Sequence, residues 1–146
     1  MRIADCGLKL ENVAEARAPG TAPRKTEHMN QNEMKQRTKA FALRIIKAVE
    51  ALPHARTGEV LGRQLLRSGT SVGANYRAAC RAKSSADFIS KMGTVEEEAD
   101  ESGYWMELLV DAGVVKPAKL ELLLREANEL VAITVASINT TRGHTR

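Results

Sequence analysis

Residues 84–109 read SSADFISKMGTVEEEADESGYWMELL. Phe88, Met92, Val95, Ala99, Ser102, Met106 and Leu109 recur at alternating steps of four and three, which places all seven on one seam of a long helix packed along its whole length. Ser84, with Asp87 three residues later, resembles a capping box and marks the start. Gly113 suits the left-handed position just past the end, and Pro117 suits the first turn of a following helix.

Working outward, the same period appears on both sides. Downstream, Leu120, Leu123, Leu124, Ala127, Leu130, Val131, Thr134 and Ile138 form the stripe of a last helix, expected to fray over residues 141–146. Upstream, a helix is expected to start at Thr57 as N-cap, with Leu61, Leu65, Ser68, Val72, Asn75 or Tyr76, and Ala79 as its buried stripe. It runs through Gly62, Gly69 and Gly73, whose small size suits tight packing or a subunit contact. Before it, Phe41, Ala42, Ile45, Ile46, Val49 and Leu52 make a first helix from about Lys35, ended by Pro53. Four amphipathic helices with short connections and no alternating strand pattern predict an all-α, up-down-up-down four-helix bundle over residues 34–140. Residues 1–33 carry no sustained period and hold Pro19, Gly20 and Pro23, so they are expected to form a tail. Met29 and Met34 stand just ahead of the first periodic segment as candidate translation starts, and no function is assigned to the tail.

Composition narrows the chemistry. Only 3% of residues are aromatic, leaving little material for base-stacking or sugar-stacking platforms. The two cysteines, Cys6 and Cys80, sit in unlike surroundings and suggest neither a disulfide framework nor a zinc site. No apolar run approaches the roughly 20 residues of a membrane span, and the N-terminal stretch lacks the apolar segment of a signal peptide, so the expected location is the cytoplasm.

A di-metal bundle needs Glu-x-x-His pairs on facing helices, but His28, His54 and His144 all lie outside the helix interiors. The run Glu96, Glu97, Glu98, Asp100, Glu101 is therefore expected as a solvated or salt-bridged face, since carboxylates alone would suit only a hard ion such as magnesium. Cys80 and the serines Ser68, Ser71, Ser84, Ser85, Ser90 and Ser102 fall in no motif with a base and an orienting group. Gly69 and Gly73, in RSGTSVGANYR, lack both the lysine and the strand-to-helix context of a phosphate loop. No enzyme, cofactor or metal is expected.

Charge is the informative feature. From Lys35 to Lys83 eleven cations face only Glu50 and Glu59, whereas from Ser84 onward six cations face eleven carboxylates. At about 100° per residue, Arg63, Arg67, Arg77 and Arg81 share one stripe of the second helix roughly 27 Å long, opposite Leu61, Leu65, Val72 and Ala79. Guanidinium forks match phosphate oxygens, and neutralising several phosphates releases counterions and drives sequence-independent binding. Lys39 and Lys47 on the first helix extend that basic surface. An alternative use of the stripe is docking on the acidic third helix of a neighbouring subunit or on a partner protein.

The segment from Gly62 to Leu109 resembles the bacterial four-helix-bundle family also called 23S rRNA intervening-sequence proteins. The resemblance rests on the Gln-Leu-x-Arg-Ser string at Gln64 to Ser68, the Ser-Val-x-x-Asn string at Ser71 to Asn75, the Asp87-Phe88 start of the third helix and that helix's Glu/Ser-rich middle. It extends over about residues 38–140. Many members carry Asn-Ile-x-Glu-Gly where this chain has Asn75-Tyr76-Arg77-Ala78-Ala79, so any role of that glutamate does not carry over. The resemblance implies a ring-shaped homopentamer. The chain is also similar to the accessory variability determinant of diversity-generating retroelements, which implies binding to nucleic acid and partnership with a reverse transcriptase.

The expectation is thus a non-catalytic, homo-oligomeric bundle that holds RNA or DNA backbone through Arg63, Arg67, Arg77, Arg81, Lys39 and Lys47. The rival is an interaction scaffold whose partner is a protein. Gln64, Ser68, Ser71 and Asn75 are expected to satisfy one another and nearby backbone, and Tyr104 and Trp105 to serve as core or interface anchors.

Overall fold

A computed structural model describes residues 29–144. It contains four helices, α1 (Gln31–Glu50), α2 (Arg56–Ala79), α3 (Ser85–Asp111) and α4 (Pro117–His144). Consecutive helices lie side by side, and α4 returns beside α1, which it touches far less than α3 does α2. The tail over residues 1–28, Cys6 and His28 lie outside the described residues.

The helix starts differ from expectation in two places. α1 begins at Gln31 rather than near Lys35, because Asn30 and Glu33 form a complete capping box: Asn30 Oδ1 accepts from Glu33 N at 3.0 Å and Glu33 Oε2 accepts from Asn30 N at 2.7 Å. The added turn buries Met34 and Thr38. α2 is capped by Ala55, not Thr57, and no side chain bonds its first turn. The helix can start this early because Gly58 has no side chain: a Cβ there would stand 2.9 Å from the Pro53 carbonyl oxygen. Ser84 caps α3 by accepting from Asp87 N at 3.1 Å, while Asp87 accepts from the Lys83 backbone rather than from Ser84. Gly113 has φ 72° and Pro117 opens α4, as their positions imply. α4 continues to His144 with Thr141 buried, so the expected fraying from residue 141 is absent through His144.

All seven seam residues of α3 are buried, as are Leu65, Ser68, Val72, Tyr76 and Ala79 of α2. Tyr76, not Asn75, therefore completes the α2 stripe, and Leu61 is only half-buried. In α4, Ile133, Ser137 and Thr141 join the predicted stripe in the interior, while Leu124 and Val131 sit at its edge. The glycines of α2 settle which contact they serve: each faces α1 in the same chain. A Cβ on Gly62 would stand 2.9 Å from Leu52, one on Gly69 2.8 Å from Ile45, and one on Gly73 3.3 Å from Thr38. Partners fall in number along α1 as they rise along α2, so the two helices are antiparallel and nearly in backbone contact.

Buried polar groups are satisfied locally. Thr38, Thr134 and Thr141 donate to carbonyls four residues back, and Ser68 and Ser102 share a hydrogen bond at 2.9 Å across the α2/α3 contact. Ser71 donates to Arg67 O and Asn75 to Ser71 O, which gives these family-motif residues the structural role expected of them. Tyr104 departs from expectation. It lies about 180° around α3 from Val95 and is 52% exposed, while Trp105, half-buried, donates from Nε1 to Glu101 at 3.0 Å.

Candidate functional site

The arginine stripe is built by α2. Its apolar and small residues point at α1, α3 and the interior, so the residues opposite Val72 must face outward, and Arg63, Arg67, Arg77 and Arg81 are all exposed. They do not form one uniform track. Arg67 is held by α3: its Nη1 donates to both carboxylate oxygens of Glu98 at 3.3 Å, and its Nη2 pairs with Glu101. Arg67 in turn holds the Glu101 carboxyl below the usual carboxylate range, helped by the Trp105 indole N–H. The sequence assigned α3's acidic run to a solvated or salt-bridged face, and Glu98 and Glu101 are the bridged part. The pairing runs within one chain.

Arg63 and Arg77 make no ion pair among the described residues, and neither does Arg81. Their surroundings differ. Arg63 lines a cleft of about 500 Å³ between the end of α1 and the start of α2, together with Glu50, Glu59 and His54. Arg77 and Arg81 lie at the opposite end of α2, where Arg77 is in the last helical turn and Arg81 just past the Cys80 C-cap rather than inside the helix. Cations there also complement the negative end of the helix dipole.

The lysines of α1 divide similarly. Thr38 packs on Gly73, so residues near Thr38 stand level with the last turns of α2. Lys39 is exposed and Lys35 half-exposed at this level, on the flank of α1 beside Arg77. Lys47 lies about 180° around α1 from Thr38, so the structure does not bring it to the stripe. Lys35 and Lys83 join the cluster instead and were absent from the predicted set. The signal for Lys35 is the α1/α2 register, which depends on the glycine contacts and cannot be read from either helix alone, whereas Lys83 follows Arg81 by two residues in the connection to α3.

Arg37, a further cation of the basic segment, is spent on structure. Its Nε and Nη2 donate to the two oxygens of Glu126 at 2.6 and 2.9 Å, and Nη2 also pairs with Glu129. This fork ties α1 to α4 where the two helices otherwise touch least. Among the described residues, no cluster of three or more His, Cys, Asp or Glu side chains is placed to hold a metal ion, and no helix is long and apolar enough to cross a membrane.

Comparison with known proteins agrees with this architecture. A crystal structure of a protein of unknown function from the S23 ribosomal protein family of Bacteroides thetaiotaomicron superposes with a TM-score of 0.69 at 35% identity, covering 75% of this chain and 97% of that one. No curated protein matches. The family profile described as 23S rRNA-intervening sequence protein matches residues 30–136, from the N-cap of α1 to the second half of α4. The chain belongs to the 23S rRNA-intervening sequence protein family.

Proposed function

We propose that this protein is a non-catalytic, nucleic-acid-binding helical bundle that engages RNA or DNA backbone through the basic surface of α1 and α2. One observation carries the reading: Arg63, Arg77 and Arg81 face outward along α2 with no carboxylate partner among the described residues. Unpaired guanidinium groups spaced along a rigid helix can each take a phosphate oxygen pair without first breaking an internal bond. Among the described residues α1 and α2 expose no aromatic side chain, Phe41 and Tyr76 being buried, so contacts are with backbone and sequence preference is low. The protein acts in the cytoplasm as a homo-oligomer, a ring of five by resemblance to its family, which multiplies weak phosphate contacts by presenting several copies at once.

The test is a salt titration of binding to labelled duplex RNA, duplex DNA and single strands, with the particle mass determined in the same buffer. The expected result is a linear fall of log affinity with log salt, at a slope of about −0.9 per phosphate engaged on duplex DNA. Neutralising Arg63, Arg67, Arg77 and Arg81 together abolishes it. No binding at low salt would instead favour a protein-interaction scaffold, such as an accessory subunit of a reverse transcriptase.

A further inference from the structure

The four helices end at two poles, and the poles differ in charge. At the pole where α1 and α3 start and α2 and α4 finish, the cations are Lys35, Lys39, Arg77, Arg81, Lys83, Lys91 and Arg142. The carboxylates Glu33 and Asp87 lie there, Glu126 and Glu129 stand level with Lys35 and Lys39 where Arg37 binds both, and all four are engaged. Glu33 accepts from the Asn30 backbone N–H to cap α1, and Asp87 accepts from Lys91 and from the Lys83 backbone N–H. The Lys91 contact and the Lys83 backbone bond hold the Asp87 carboxyl below the usual carboxylate range, so it stays charged and bound to these partners.

Elsewhere carboxylates stand among the cations. Midway along α2, Arg67 is taken by Glu98 and Glu101, whose charges also repel an incoming phosphate. At the other pole Lys47, Arg56, Arg63, Lys116 and Lys119 stand among five carboxylates, Glu50, Glu59, Glu107, Asp111 and Glu121, and Arg63 shares its cleft with the first two of these.

We infer that the phosphate-binding surface is the single pole formed by Lys35, Lys39, Arg77, Arg81 and Lys83, and not the full length of the arginine stripe. This deepens the nucleic-acid reading and rests on it. Arg77 stands in the last turn of α2 with Arg81 just past its C-cap, and Lys35 and Lys39 are about 6 Å apart along α1 at 1.5 Å rise per residue. Gly73, without a side chain, packs on Thr38 between the two rows. Two cation rows one helix spacing apart match a short run of phosphodiesters crossing the end of the bundle. A strand laid lengthwise would have to pass Glu98 and Glu101.

The experiment compares two charge-matched variants of the full chain. R77Q/R81Q removes two exposed cations from the proposed pole, and R56Q/K119Q removes two exposed, unpaired cations from the other pole, at the starts of α2 and α4. Both lose equal net charge, so a general field effect moves them alike. Circular dichroism melts establish that both remain folded. Affinity is read by fluorescence anisotropy for a labelled RNA duplex and the matching DNA duplex, which separates the two sources of phosphodiester, across a salt series. The expected result is that R77Q/R81Q weakens binding by about ten-fold or more at low salt and lowers the salt slope by about 2, while R56Q/K119Q stays within about two-fold with its slope unchanged. Equal losses in the two variants, or a larger loss in R56Q/K119Q, would overturn the polar site while leaving backbone binding intact. Absence of salt-sensitive binding by the unmodified chain to either duplex would instead overturn the nucleic-acid reading itself, and the polar site with it.

Discussion

Helices α2 and α3 are neighbours of similar length, both carry glycines and both present a charged outer face, yet they use these residues in opposite ways. In α2, Gly62, Gly69 and Gly73 are required, because α1 occupies the space where a side chain would go. In α3, Gly93 and Gly103 meet nothing within 4 Å of where a Cβ would stand. The charges divide in the same manner. α3 gives Glu98 and Glu101 to a neighbouring helix, whereas α2 keeps most of its arginines unpaired. The two facts are linked: by locking α1 against α2, the glycine contacts bring Lys35 and Lys39 level with Arg77 and turn two separate charged helices into one basic surface.

The comparison breaks first at the glycines. Gly69→Ala would place its Cβ 2.8 Å from Ile45 Cγ1, 2.9 Å from Cγ2 and 3.2 Å from Cβ. A β-branched isoleucine in a helix is nearly fixed at χ1 and cannot turn away. Overpacking of about 1–3 kcal/mol then outweighs the roughly 1 kcal/mol that alanine gains over glycine in a helix. A net loss of up to about 2 kcal/mol is expected in urea denaturation. A gain would show that the α1/α2 contact relaxes freely. Gly93→Ala is the opposite case: with open space around the new methyl group, only the propensity acts, and stability is expected to rise by up to about 1 kcal/mol. A loss there would reveal a contact on the outer face of α3 that the single chain lacks.

The seam in residues 84–109 made α3 legible throughout, since a heptad-like period with a cap at one end and glycine and proline at the other leaves little choice. The ends of α1 and α2 were less so. Asn30 and Glu33 are a capping box in plain sight, but they sit beside a polar tail and precede the apolar stripe by a full turn, so the period does not reach them. Thr57 has the right chemistry for a cap and the wrong place, because Gly58 lets the first turn stack on Pro53. For the site, the phase of the arginine stripe follows from sequence, and so does its exposure. What one dimension cannot supply is which carboxylates face it. Glu98 and Glu101 rather than Glu97 meet Arg67 because the Ser68–Ser102 contact sets how α3 lies against α2.

The smallest effect belongs to the ion pair that joins the two helices. The Arg67 side chain is 48% exposed and Glu101 35%, against 26% and 17% for the Arg37–Glu126 pair, so solvent screens the α2/α3 link far more than the α1/α4 one. Its sign is nonetheless defined. The folded-state pKa of Glu101 is depressed, first by the Arg67 hydrogen bond, so its stabilising contribution is present at neutral pH and lost as pH falls through the depressed folded value. Asp87, depressed first by Lys91, acts in the same direction. Removing Arg67 removes the cause for Glu101 and leaves Asp87 untouched. The unmodified protein should therefore be slightly more stable than Arg67→Gln at neutral pH, with the difference closing below about pH 4 while the shared acid loss from Asp87 persists in both. A gap between the two urea midpoints that stays constant into acid would assign Arg67's contribution to packing along α3, and the contrast between a helix that keeps its charges free and one that spends them would then rest on the glycines alone.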